Sequence, residues 1–431
     1  MHITDQLTGN RVVQKQEIYT HKLGNGLVLL AQSMPWLQSS AFSINLPAGC
    51  RNDPADKIGL SNFTCEMVQR GCGELDSRQF IEELEGSGID YSSSSSVYHM
   101  HFGGAMCADQ IYRGLEIYAN VLQRAHIPIE QMDDGRLVCL QEIRAIEDDL
   151  AQKTIIELRN RHYGQPDGRD CHGTMESVVA IGHDDIKNFY NDNFCPNGTI
   201  ISVAGKIEWE RLKDHVEKLF SPWPEKPSRE IEKREPEHGV KHIPFESQQT
   251  QIAIAYPSIP YSHPDYFQAR GAVGVLSDGM SSRLFHEVRE KRGLCYTVFA
   301  SSHSLKDRGA VVCYSGTSSE RAQETIDVIV DQLQNLKNGI QEDELRRLKV
   351  QIRSGMVMQQ ESCRSRAGAI AGDWFHLGRI RLLDEIDDAI NNLTVDSINE
   401  YLQQHPPQDF DLVTLGPEPL DLPHAISSTS A

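Results

Sequence analysis

No two of the ten cysteines in this 431-residue sequence are spaced C-x-x-C, which excludes zinc ribbons and dithiol redox centres as organising features. No apolar run is long enough to span a bilayer, and the opening MHITDQLTGNRVVQKQE lacks the apolar core of a secretory signal. The expectation is a cytoplasmic protein with reduced thiols and no membrane partner. Basic residues are in deficit, 42 against 61 acidic ones, and the formal charge of -19 disfavours nucleic acid as a partner. Basic peptides suit that charge better. Neither a P-loop nor a dinucleotide fingerprint is present, since the glycines of GAVGVLSDG belong to a helix and its following turn.

What is present is a globular composition, 39% hydrophobic and 24% charged, in a chain long enough for two or three domains. The segment PWPEKPSREIEKREPEHGV, 222–240, is rich in proline and charge and reads as an exposed linker. It separates a first domain, 1–221, from a second, 241–420, which leaves a tail of 421–431. The two are copies of one plan. DSRQFIEELEGSGIDY (76–91) lies over SSRLFHEVREKRGLCY (281–296) without a gap, with seven identities in sixteen positions.

Each copy predicts the same order of elements. A periodic helix (58–70; 266–276) precedes a second helix closed by glycine, Gly88 or Gly293. Two strands follow (89–95 and 97–103; 294–301 and 309–315), then two long helices (109–124 and 130–148; 319–337 and 342–360). Both halves end on an apolar strand closed by glycine, TIISVAG and FDLVTLG. Hairpins with helices gathered between them predict an α+β fold: two homologous α/β sandwich domains, each an antiparallel-rich sheet with helices on one face. The cleft between two such domains is a natural place for a ligand.

These strings resemble the pitrilysin/insulinase/mitochondrial-processing-peptidase superfamily, the inverted-motif zinc metallopeptidases. DGMSSRLFHEVREKRGLCYTV (278–298) is similar to that family's second-domain signature, and HKLGNGLVLL, FCPNGTIISVAG and LQEIRAIED add to the likeness, which runs from His21 to Gly416. The family's H-x-x-E-H helix places two histidines on one face to hold zinc, with the glutamate between them as base to the bound water. Laid on GLSNFTCEM, the resemblance puts the histidines on Asn62 and Glu66 and the base on Cys65. All three are replaced. The third ligand falls on Glu142 and is kept in type, whereas a further family glutamate falls on Gly135. An amide, a thiol and two carboxylates make a poor tetrahedral zinc site, so no metal is expected on this chain. Two carboxylates and several oxygens could instead hold a harder cation weakly; failing that, Glu66 and Glu142 facing each other would raise one pKa, or turn to solvent or a basic neighbour.

The second half retains more of what the resemblance implies. Arg289 and Tyr296 match the family's arginine and tyrosine, which hold the substrate carbonyl and support the oxyanion, as a cation and a phenol can. The alternative is a solvated helix arginine and a packed strand tyrosine. Tyr91, Ser92, Ser93, Ser94 and Ser95 fall where the family presents an edge strand to an extended peptide, although the serines could equally blunt that edge. His99 and His101 share one face of a strand but need a third ligand to hold metal.

Three functions are compatible with this pattern. The first is the non-catalytic subunit of a heteromeric peptidase, contributing Arg289 and Tyr296 beside a homologous chain that carries the intact motif and the zinc. The second is a homodimeric peptide-binding or scaffold protein. The third is a self-sufficient hydrolase with an unusual metal or thiol centre.

Overall fold

Strand segments in which both alternating sets of residues are apolar must be covered on both faces, and that requirement shapes the architecture. The computed structural model describes residues 16–227, 231–421 and 423; the leader reading and most of the 421–431 tail lie outside these residues. The first half contains β1 (Glu17–Lys22), β2 (Val28–Ser33), β3 (Ser39–Leu46), α1 (Leu60–Met67), α2 (Ser77–Gly86), β4 (Asp90–Ser95), β5 (Met100–Cys107) and α3 (Ile111–Arg124). It continues with α4 (Met132–Asp148), α5 (Leu150–Tyr163), α6 (Met175–Ala180), α7 (His183–Asn193), β6 (Ile200–Gly205) and α8 (Trp209–Phe220). Its sheet runs β1-β2-β6-β3-β5-β4, so the serine strand β4 is an edge.

The second half repeats the plan with β7 (Val240–Pro244), β8 (Gln249–Ser258), α9 (Tyr266–Ser277), β9 (Cys295–Ser304), β10 (Gly309–Ser318) and α10 (Ala322–Asn335). It closes with α11 (Glu342–Gln359), α12 (Cys363–Leu377), α13 (Leu383–Asn392), α14 (Val395–Gln404) and β11 (Asp411–Gly416). Its sheet runs β7-β11-β8-β10-β9, and β9 is the matching edge. β2 with β6 and β7 with β11 are the parallel pairs, and the other pairs are antiparallel. The fold is thus α+β in two domains.

One face of each sheet packs on its own helices. Leu29, Phe42, Ile44, Ile201 and Val203 meet α1, α3 and α8 in the first core, and Ile252, Ile254, Val311 and Leu412 meet α9, α10 and α14 in the second. The second face is covered by a helix from the other half. Val28, Leu30 and Ile200 pack on Ile370 and Ala371 of α12, while Ala253, Ala255, Val312 and Val413 pack on Leu158 of α5. Each half therefore lends one helix to the other, an exchange that helices on one face alone would not require.

One expected helix differs. Where α2 is a regular helix opened by Asp76 and Gln79 in a reciprocal capping box, its counterpart is wound as a π-helix over Phe285–Glu290. The Lys291 amide donates to the His286 carbonyl at 2.9 Å, closing the wider turn. Both copies still end left-handed at the same position, Gly88 at φ 62 and Gly293 at φ 58, where a side chain would be strained.

Candidate functional site

α1 forms because Leu60, Phe63 and Met67 recur on one face and bury against the first core. Its unpaired N-terminal amides are met from outside the helix: the buried Asp53 carboxylate accepts from the Gly59 and Ser61 amides, both at 2.9 Å. Burial pushes the Asp53 carboxyl up to about 7, against the opposing pull of those amides and Arg169.

The other face carries the substituted zinc positions. Asn62 Nδ2 donates to Glu142 Oε2 at 2.8 Å, which joins α1 to α4. Glu66 Oε1 accepts from Arg70 Nη2 at 2.7 Å and Nε at 3.1 Å. Each carboxylate has found a partner, one an amide and the other a cation. Cys65 lies buried beneath β4 rather than on an open polar face. Burial pushes its thiol up to about 12; the Ser93 hydroxyl opposes this, while Glu66 and Glu142 add to it. It is a neutral thiol at physiological pH, and no histidine hydrogen-bonds to it among the described residues. Cys139, on α4, is likewise buried and its thiol raised, first by burial and then by Glu142 and Glu66.

Gly135 explains how closely α4 approaches. A Cβ there would sit 2.6 Å from Met67 Sδ and 3.1 Å from the Phe63 ring, with Arg70 Nε at 3.4 Å. The space of a further acidic side chain is filled by Met67 and Arg70. This donor set does not suit zinc: a neutral amide, a protonated thiol, and carboxylates already engaged by Asn62 and Arg70.

Beside α1 runs the edge strand. Asp90 to Ser94 are exposed, Ser93 accepts from Gln69 at 2.9 Å, and Ser95 donates to Ser61 at 3.0 Å. Tyr91 is exposed on the same strand. At its start Arg364 reaches across from the second half to the Asp90 carbonyl and carboxylate, both at 2.6 Å.

In the second half the wide π-turn sets Arg289 over the Phe285 ring, 4.7 Å from its centroid, and over the Tyr296 ring at 5.0 Å. Tyr296 is 82% exposed on the edge strand β9, at the duplicated position of Tyr91. No carboxylate pairs with Arg289 among the described residues. The pair is a cation on an aromatic bed that presents a phenol to solvent. No hydrogen bond or ion pair among the described residues joins it to the α1 cluster.

The histidine reading is corrected by the geometry. β5 begins at Met100, so His99 sits in the preceding turn with its ring 4.4 Å from Phe375 of α12, and burial first, then nearby cations, lowers its pKa to about 4. His101 instead bonds Asn45 at 3.0 Å. The residues missed in sequence are Arg70, Cys139 and Asp53. Of these only Arg70 carries a local signal, its position four residues after Glu66.

Comparison with known proteins decides the family. The profile described as insulinase, peptidase family M16, matches residues 28–168, and that of the peptidase M16 inactive domain matches 180–352. The chain belongs to the insulinase family of peptidases. An uncharacterized zinc protease, YmxG of Bacillus subtilis, is 25% identical over 399 residues, 91% of this chain and 97% of that protein. A zinc protease of Rickettsia felis is 23% identical over 386 residues, 89% and 94% of the two chains. Among solved structures, a peptidase M16 inactive domain from Pseudomonas fluorescens superposes with a TM-score of 0.85 at 22% identity, covering 94% of this chain and 99% of that one. A protease from Helicobacter pylori gives 0.85 at 19%, covering 93% and 100%. A chain of complex III from Candida albicans gives 0.79 at 16%, covering 92% and 95%. This insulinase-family protein has no described helix long and apolar enough to cross a membrane.

Proposed function

We propose that this chain is the non-catalytic member of a two-chain peptidase, in which a homologous partner with an intact H-x-x-E-H supplies zinc and water. The observation that carries the reading is the contrast between the two halves: Glu66 is neutralised by Arg70, whereas Arg289 is left without a carboxylate beside an exposed Tyr296. A guanidinium and a phenol held ready in this way can stabilise a developing oxyanion. β4 offers small exposed residues along an open edge, where an extended peptide can add as a further strand. The acidic surface favours basic peptides. Related folds do occur inside assemblies, as the complex III chain illustrates. The test is to purify this chain and the intact-motif homologue from the same genome and assay peptide cleavage singly and mixed. A mixture more active than either component supports the reading, and zinc-dependent cleavage by this chain alone contradicts it.

The open edge of β4 also favours a second reading, a homodimeric peptide-holding protein. It predicts basic-peptide binding that is unaffected by Arg289→Ala and no gain of activity on mixing.

A further inference from the structure

The degenerate α1 cluster is not where metal-ligating groups converge in this molecule. Among the described residues, the group of histidine, cysteine, aspartate or glutamate side chains whose ligand atoms come together is His162, His238 and Asp411. His162 projects from α5, the helix the first half lends to the second sheet. His238 lies at the end of the linker, one residue before the strand-leading Gly239, and Asp411 opens β11. Both imidazoles aim Nδ1 at one carboxylate oxygen, Asp411 Oδ2, at 2.6 and 2.9 Å. The other oxygen accepts the Gly239 amide at 2.6 Å, which fixes the carboxylate's orientation.

We propose that His162, His238 and Asp411 form a binding site for a divalent transition ion of the zinc class, clipping the first half, the linker and the second half together. Two imidazole nitrogens and one carboxylate oxygen are a donor set that zinc accepts, with water as the fourth ligand. The exposed side of His238, 58% accessible, leaves that position open to solvent, while His162 and Asp411 are nearly fully buried. The present spacings are those of hydrogen bonds. A tetrahedral ion about 2 Å from each ligand needs the donor atoms to part to about 3.3 Å, which takes a small shift of His238 on the linker and a further side-chain adjustment between His162 and Asp411, now 2.6 Å apart. Binding through Nδ1 places each imidazole's remaining proton on Nε2. The inference is independent of the function proposed above.

The test uses the full-length protein, stripped with a chelator and titrated with Co²⁺ and with Zn²⁺ against a chromophoric competitor. One equivalent is expected, with the visible absorption of four-coordinate cobalt. His238→Ala, at the most exposed of the three positions, should weaken binding by at least about tenfold. At the same zinc concentration the melting temperature should rise more for the wild type than for His238→Ala. Glu66→Gln with Glu142→Gln should leave the equivalent in place. Binding of unchanged affinity in His238→Ala, or binding lost with the two glutamines, would overturn the proposal, as would failure to bind cobalt more tightly than about 1 mM.

Discussion

Arg70 supplies, one turn along α1, the positive charge that Glu66 would otherwise lack. Both partners are partly buried, so the pair lies between the weak exposed case and the costly buried one. Arg70→Ala should therefore cost roughly 1 kcal/mol in urea denaturation, with Arg70→Lys in between because an ammonium lacks the planar fork by which Arg70 Nε and Nη2 both reach Glu66. This partnership was open to sequence reasoning, since residues four apart on a helix are neighbours. The burial of Cys65 was not, because it depends on β4 being laid over α1 by the sheet. Gly135 was visible as a departure from the family pattern, but only packing shows that Met67 and Arg70 fill its place.

At the level of elements, α1 is anchored by a group whose charge changes near neutrality. Asp53, with its carboxyl raised to about 7 by burial, holds a proton that the unfolded chain releases near pH 4. Between those values the folded state binds more protons, so this group's contribution to stability falls as pH rises, on the order of 1 kcal/mol per pH unit. Asp53→Asn should flatten that slope in denaturation curves taken from pH 4 to 7. Asp411 behaves oppositely. Burial would raise its carboxyl, but donors from His162, His238 and Gly239 more than offset that and hold it below the usual range. Its contribution is present at neutral pH and lost as pH falls below about 4. The lent helices are the other consequence at this scale. Leu158 of α5 is fully buried on the second sheet, and Leu158→Ala should cost about 2–5 kcal/mol, read from thermal or urea unfolding. The sequence predicted helices on one face of each sheet, whereas the strands Ile200–Gly205 and Asp411–Gly416 are buried throughout and their sheets are covered on both faces. No pattern in the helices said which half would provide the cover.

Across the whole molecule, exchange of α5 and α12 makes the halves interdependent. Expressed alone, the first half would bare Val28, Leu30 and Ile200, and the second Ala253, Ala255 and Val413. Separate halves should aggregate, whereas co-expression should yield a soluble complex with the circular dichroism of the intact chain. The duplication, the two-domain α+β fold and the family were legible because they rest on long-range repetition of local patterns. The junction triad of His162, His238 and Asp411 was not, since it is drawn from three distant segments. On the proposed function, this chain completes a partner's active site through Arg289. The most direct test compares peptide turnover by the reconstituted complex carrying wild-type or Arg289→Ala chain, with assembly verified by size-exclusion chromatography. An intact complex whose kcat falls by about 10²–10³ is expected, the loss typical of one oxyanion donor. An unchanged kcat in an equally assembled complex would contradict that function.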